Sequence, residues 1–171
     1  MHQENRSYRA LEPLMDTVYV ETQRQRTREA LLEFGLSRDR THWVTLNCHR
    51  VTTIETALQR LKRWRVEMLR RLHGRYFYRL PHGDRFEFFG SYELTKAGEP
   101  HFHLVCSVPL PRTERFERVA VDRWKAIVPS GTCHIVPVDA LPDSPRRILG
   151  YALKFLDPNA DLSFVDSRLF S

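Results

Sequence analysis

From residue 42 onward the apolar residues change their spacing in a fixed order, and that order constrains the fold more than any single residue does. His42-Trp43-Val44-Thr45-Leu46-Asn47-Cys48 alternates apolar and polar positions among β-forming residues, which predicts a first strand. Behind a capping box of Thr52 and Glu55, residues Ile54, Leu58, Leu61, Trp64, Met68 and Leu72 recur at helical spacing up to Gly74. Phe86 to Thr95 and His101 to Val108 are β-rich runs, and Lys96-Ala97-Gly98-Glu99-Pro100 between them marks a tight reversal. Phe116, Val119, Ala120, Trp124 and Ile127 predict a second amphipathic helix, interrupted only by Arg123 and stopped by Pro129-Ser130-Gly131. Cys133 to Val138 predicts a fourth strand, which Pro137 places at an edge or a bulge. Ser144 as N-cap and Pro145 in the first turn start a last helix, expected to reach about Leu156 before Pro158 ends it.

Strand, helix, strand, strand, helix, strand is the split βαβ order, so the expected class is α+β: a ferredoxin-like, RRM-like antiparallel sheet with helices on one face. A length of 171 residues suits one such domain, assigned to residues 41–171. Residues 1–40 offer one helix, from about Thr22 to Phe34 and ended by Gly35, and are read as an N-terminal helical appendage. This sheet supports many unrelated activities, so function has to be argued from particular side chains.

Charge narrows the partners. Between His49 and Leu80 stand Arg50, Arg60, Lys62, Arg63, Arg65, Arg70, Arg71, Arg75 and Arg79 against Glu55 and Glu67, a local balance of +7 in a chain of net +6. A concentrated positive field of this kind fits a partner that carries phosphates, although a solvated helix face produces the same count. No stretch approaches the roughly 18 apolar residues of a membrane span, and no apolar segment follows the polar residues Met1 to Arg9, so neither a membrane partner nor a secretory signal is expected. Cys48, Cys106 and Cys133 are odd in number and far apart, which argues against a disulfide framework and a zinc ribbon and fits a reducing cytoplasm.

Two groups of residues carry chemistry. His101 and His103 are two apart on a predicted strand, so both imidazoles point to one face while Phe102 and Leu104 face the core. Glu93 across the hairpin is the candidate third ligand. Strict pairing about Ala97-Gly98 places it opposite Phe102, so its participation depends on register, and Glu87 is the fallback. Two nitrogens and a carboxylate with open positions suit Mn²⁺ or Mg²⁺ beside a phosphate. Tyr151 lies on the last helix with Arg147 at i−4 and Lys154 at i+3 on its face, cations that favour a phenolate, although taken alone it also reads as a half-buried helix tyrosine.

Trp43-Val44-Thr45-Leu46-Asn47, then His101-Phe102-His103 after the Gly98-Glu99-Pro100 turn, then Tyr151-Ala152-Leu153-Lys154 resemble, in that order, the three motifs of the HUH endonucleases. The likeness covers residues 42 to 157 and is strongest to the rolling-circle replication initiators of small plasmids and filamentous phages. It implies that His101, His103 and Glu93 hold the metal, that Tyr151 attacks DNA, and that Lys154 assists. Initiators of the two-tyrosine type have a second tyrosine in the same helix, but Phe155 stands one turn after Tyr151, so the chain resembles the single-tyrosine enzymes; these include single-strand transposases, which keeps that class and relaxase-like nickases as alternatives.

The resemblance implies a metal-dependent nickase and strand-transferase acting on single-stranded DNA or an origin hairpin in the cytoplasm of a bacterial host. With no Gly-x-x-x-x-Gly-Lys-[Ser/Thr] loop, unwinding falls to a host helicase in trans. Expected nucleic-acid contacts are Arg147, Asn47, Arg50, Arg60, Arg63, Arg70, Arg71 and Arg75, with Trp43, Tyr76 and Tyr78 as stacking surfaces and Trp64 in the core. The competing classes are a non-catalytic nucleic-acid-binding module, which has no need of His-x-His, and a zinc-stabilised domain, which lacks a fourth ligand.

Overall fold

The alternation of periods becomes four strands and two long helices, to which the fold adds a fifth strand. The structure is a computed structural model and describes residues 25–37, 39–51, 53–140, 145–153 and 164–170. Helix α1 occupies residues 25–36, followed by β1 (His42–Asn47), α2 (Ile54–His73), β2 (Glu87–Leu94), β3 (Pro100–Ser107), α3 (Thr113–Ile127), β4 (Thr132–Pro137), α4 (Pro145–Ala152) and β5 (Phe164–Asp166). The strands form one open sheet in the order β4-β1-β3-β2-β5, every pair antiparallel. This is the expected α+β, ferredoxin-like topology, with β4 at an edge and Pro137 as its last residue.

Period two divides each strand between two environments. Val44, Leu46, Phe88, Phe102, Leu104 and Cys106 face α2 and α3, where Leu61, Trp64, Met68, Phe116 and Trp124 complete the main core. Trp64 is fully buried, as expected, and its indole N–H donates to the Ala120 carbonyl at 3.1 Å. Burying each such side chain contributes about 1.5–3 kcal/mol, so this layer dominates stability. Helix α2 is capped by Thr53, whose hydroxyl accepts from the Thr56 N–H; the expected capping residue, Thr52, lies outside the described residues. Glu55 therefore sits in the first turn, where it complements the helix dipole without closing a box.

The two crossover helices share one face as expected, and among the described residues α1 and α4 pack on the opposite face. There Trp43, Phe89 and Val105 pack with Leu31, Leu32, Phe34 and Leu36 of α1 and with Ile148 and Leu149 of α4, Leu153 following. Residues 25–36 are thus built into the domain, where the sequence suggested an appendage. The helix also continues through Gly35 instead of stopping there. A Cβ at Gly35 would lie 2.9 Å from Leu149 Cδ2 and 3.3 Å from Phe89 Cε1, so this glycine allows close approach of α1 to its neighbours. Arg146 joins the two helices by ion pairs to Glu29 at 2.7 Å and Glu33 at 2.8 Å. The Ser144 cap lies outside the described residues, as does the expected helix end near Leu156; α4 is described as Pro145–Ala152.

β5 had no counterpart in the sequence reading. Three residues pair with β2, and Ser167 just beyond accepts the Phe88 N–H on its hydroxyl at 3.1 Å. The short strand covers part of an edge that would otherwise expose unpaired backbone groups.

Candidate metal centre

The histidine pair ends up where the hairpin register sends it. Glu93 pairs with His101, and Leu94 with Pro100, so the carboxylate shares the histidines' face. The reversal centres on Ala97 alone, with Gly98 N–H donating to the Thr95 carbonyl at 2.8 Å and Thr95 N–H to the Glu99 carbonyl at 2.9 Å. Gly98 makes this odd-length turn possible by adopting φ 76°, a region that costs other L-residues about 1–2 kcal/mol. Glu87, the fallback, lies at the other end of β2 opposite Ser107.

Three ligand atoms now converge. Glu93 Oε1 lies 2.6 Å from His101 Nε2 and 3.2 Å from His103 Nε2, and the two nitrogens are 2.9 Å apart. Adjacent ligand atoms at about 2.1 Å from an octahedral ion are about 3.0 Å apart, whereas a tetrahedral ion of the same bond length spaces them about 3.4 Å. The observed edges bracket the first value and all fall short of the second. Glu93, His101 and His103 could therefore hold a divalent ion. His103 is buried, and burial together with the nearby His101 holds its pKa below the ordinary imidazole value in spite of the Glu93 carboxylate. A neutral ring keeps a lone pair for a metal. His101 Nδ1 is buried with no hydrogen-bond partner among the described residues.

Neighbouring side chains fix the triad. The Trp43 indole stacks on His103, with centroids 5.6 Å apart and planes 28° from parallel. Trp43 also joins the cluster under α1 and α4, so it positions the imidazole instead of presenting an open stacking surface. Asn47, opposite His101 on β1, donates from its amide to Thr132 Oγ1 at 2.7 Å, and its carbonyl accepts from Trp124 of α3 at 3.1 Å. Beyond β1, Glu99 accepts from the Arg50 backbone N–H at 2.9 Å and pairs with His49 at 3.0 Å. Arg50 is held with φ 62° at the sheet end that carries the triad.

Two polar rows cross the sheet on this face. One runs Thr132, Asn47, His101, Glu93, and the next runs His134, Thr45, His103, Ser91. The sequence reading missed His134, Thr45, Thr132 and Ser91, although alternation within each strand carries the signal once the strand order is known. Burial pushes the thiols of Cys48 and Cys133 up to about 12 and raises Cys106 as well, so none offers a thiolate ligand at neutral pH.

The remaining predicted residues divide by layer. Tyr151 belongs to α4, which packs on the triad's face through Ile148 and Leu149; its side chain and Lys154 lie outside the described residues. Arg147 on the same helix is exposed. The basic helix α2 lies behind the opposite face, so the sheet separates Arg63, Arg70 and Arg71, all exposed, and the half-buried Arg60 from the triad. Arg65 of the same basic block is buried, its guanidinium donating to the Phe170 carbonyl at 3.3 Å. Arg75 is exposed beyond the end of α2. Among the described residues no helix is long and apolar enough to cross a membrane. No protein-family model, no curated protein and no solved structure matches the chain.

Proposed function

We propose that this chain nicks and rejoins single-stranded DNA through Tyr151, using Mn²⁺ or Mg²⁺ held by Glu93, His101 and His103, and that it initiates rolling-circle replication in this way. The observation that carries the reading is the convergence of two imidazoles and a carboxylate on the same sheet face as the tyrosine-bearing helix. Leu149 belongs to the cluster with Phe89 and Val105, and the row formed by those two residues is one side-chain repeat, about 6.7 Å, from the row that contains His103.

A divalent ion held by Glu93, His101 and His103 would supply Lewis-acid polarisation of a non-bridging phosphate oxygen. The Tyr151 oxygen forms a bond to phosphorus as the bond to the 3′ oxygen breaks. The phenol gives up its proton, the departing 3′ oxygen takes one, and the 5′ phosphate stays on the tyrosine. One phosphodiester replaces another, so the step reverses without ATP. Arg147 and Lys154 serve to stabilise the phenolate and phosphate charges. The strand lies across the polar rows, where Asn47, Thr45 and His134 offer hydrogen bonds.

The test is incubation with Mn²⁺ and a library of single-stranded hairpin oligonucleotides, followed by intact-mass analysis. The expected result is a nucleotide adduct on Tyr151 that is absent from Tyr151→Phe and from His101→Ala/His103→Ala. An unchanged mass across the whole library sinks the reading. Two histidines and a carboxylate are also the donor set of mononuclear iron(II) centres that activate oxygen, and iron-dependent oxygen uptake without a DNA adduct would move the site to that class.

A further inference from the structure

The turn between α2 and β2 presents two aromatic rings to solvent. Tyr76 is 46% and Tyr78 57% exposed, with ring centroids 6.2 Å apart. The Arg75 guanidinium lies 4.5 Å from the Tyr76 ring centroid and hydrogen-bonds its hydroxyl. Arg79 lies 4.8 Å from the Tyr76 centroid and 5.8 Å from that of Tyr78. The backbone beneath is pinned, because Arg85 donates to the Tyr78 carbonyl at 2.8 Å and the Leu80 carbonyl at 2.7 Å, while Phe77 packs against the main core.

Charge around the rings has one sign. From Met68 to Gly83 the sequence holds Arg70, Arg71, Arg75 and Arg79 and no carboxylate, and all four arginines are exposed. A face that only solvates the protein explains the arginines but leaves two ordered, open tyrosines without a role. Rings interleaved with guanidinium groups on a fixed backbone form a surface on which bases stack while cations meet the phosphates.

We propose that Arg75, Tyr76, Tyr78 and Arg79 form a binding site for single-stranded nucleic acid, separate from the metal centre. The turn leads into the start of β2, and Glu93 lies six residues further along that strand, toward its other end. The site is argued from its own residues and does not depend on strand cleavage.

The experiment is fluorescence anisotropy of the full chain with a labelled mixed-sequence single-stranded oligonucleotide in EDTA, which removes metal-dependent binding. Replacing Tyr76 and Tyr78 by alanine is expected to weaken binding about tenfold for each ring that stacks a base. The double phenylalanine variant keeps its rings and should bind within about twofold of wild type, since stacking needs the ring and not the hydroxyl. Arg75→Gln/Arg79→Gln should flatten the dependence of log affinity on log salt by about 1.4, from two lost phosphate contacts. The loss caused by the alanine pair should be the same fold-change in a His101→Ala/His103→Ala background as in wild type, which separates this site from the proposed nickase. Wild-type affinity in the alanine pair overturns the proposal, as does equal loss in the phenylalanine pair. A duplex of the same sequence bound as tightly and lost as completely also overturns it, and absence of binding to either form does so in favour of a protein partner.

Discussion

Metal alone, without DNA, should raise the melting temperature of this protein, by an amount set by mass action and chain size. Glu93 Oε1, His101 Nε2 and His103 Nε2 already stand within 3.2 Å of one another, so binding requires little rearrangement. An ion that binds only the folded state stabilises it by about 2.7 kcal/mol at a hundred times its dissociation constant. In a chain of this size each kcal/mol moves the midpoint by about 2–4 °C, so saturating Mn²⁺ should add about 5–10 °C. Glu93→Gln keeps the shape but loses the only anionic ligand of the triad. If its affinity falls tenfold, the gain at the same metal concentration shrinks by about 1.4 kcal/mol, or about 3–5 °C. Differential scanning calorimetry of both proteins, with and without Mn²⁺, measures this directly. The reasoning is refuted if wild type shows no rise, or if His101→Ala/His103→Ala shows the same rise as wild type.

Two further outcomes follow from the packing around Trp43 and His73. Trp43→Ala removes the ring stacked on His103 and part of the second core; it should cost about 1–2 kcal/mol in urea unfolding and weaken Mn²⁺ binding, whereas Trp43→Phe should retain most of both. His73 accepts the Phe86 N–H on Nε2 at 3.0 Å, and burial, reinforced by Arg112 and Arg85, pushes its pKa down to about 4 from 6.5. Because the unfolded chain takes up this proton first, stability should fall as pH drops from about 6.5 to about 4 and change no further from this group below that. Discounted for the partial exposure of the ring, the loss is roughly 1–2 kcal/mol, visible as a steeper decline in wild type than in His73→Gln when urea unfolding is compared across that range.

Much of the architecture is local information. The alternation in His42–Asn47, the helical spacing from Ile54 to Leu72 and the Gly74 stop concern neighbours within one element, so the sequence alone determined them. The shared face of His101 and His103 is equally local, since two residues on one strand always point the same way. Only the tertiary structure decided that Glu93 joins them. That depended on whether the turn held an odd or an even number of residues, and Gly98 in its left-handed conformation gave the odd one. Only the tertiary structure, too, turned Gly35 from a helix stop into a contact and placed the basic face of α2 behind the sheet, away from the triad. Those outcomes come from surfaces that meet across tens of residues, and the period of a segment reports which side is apolar without naming what will cover it.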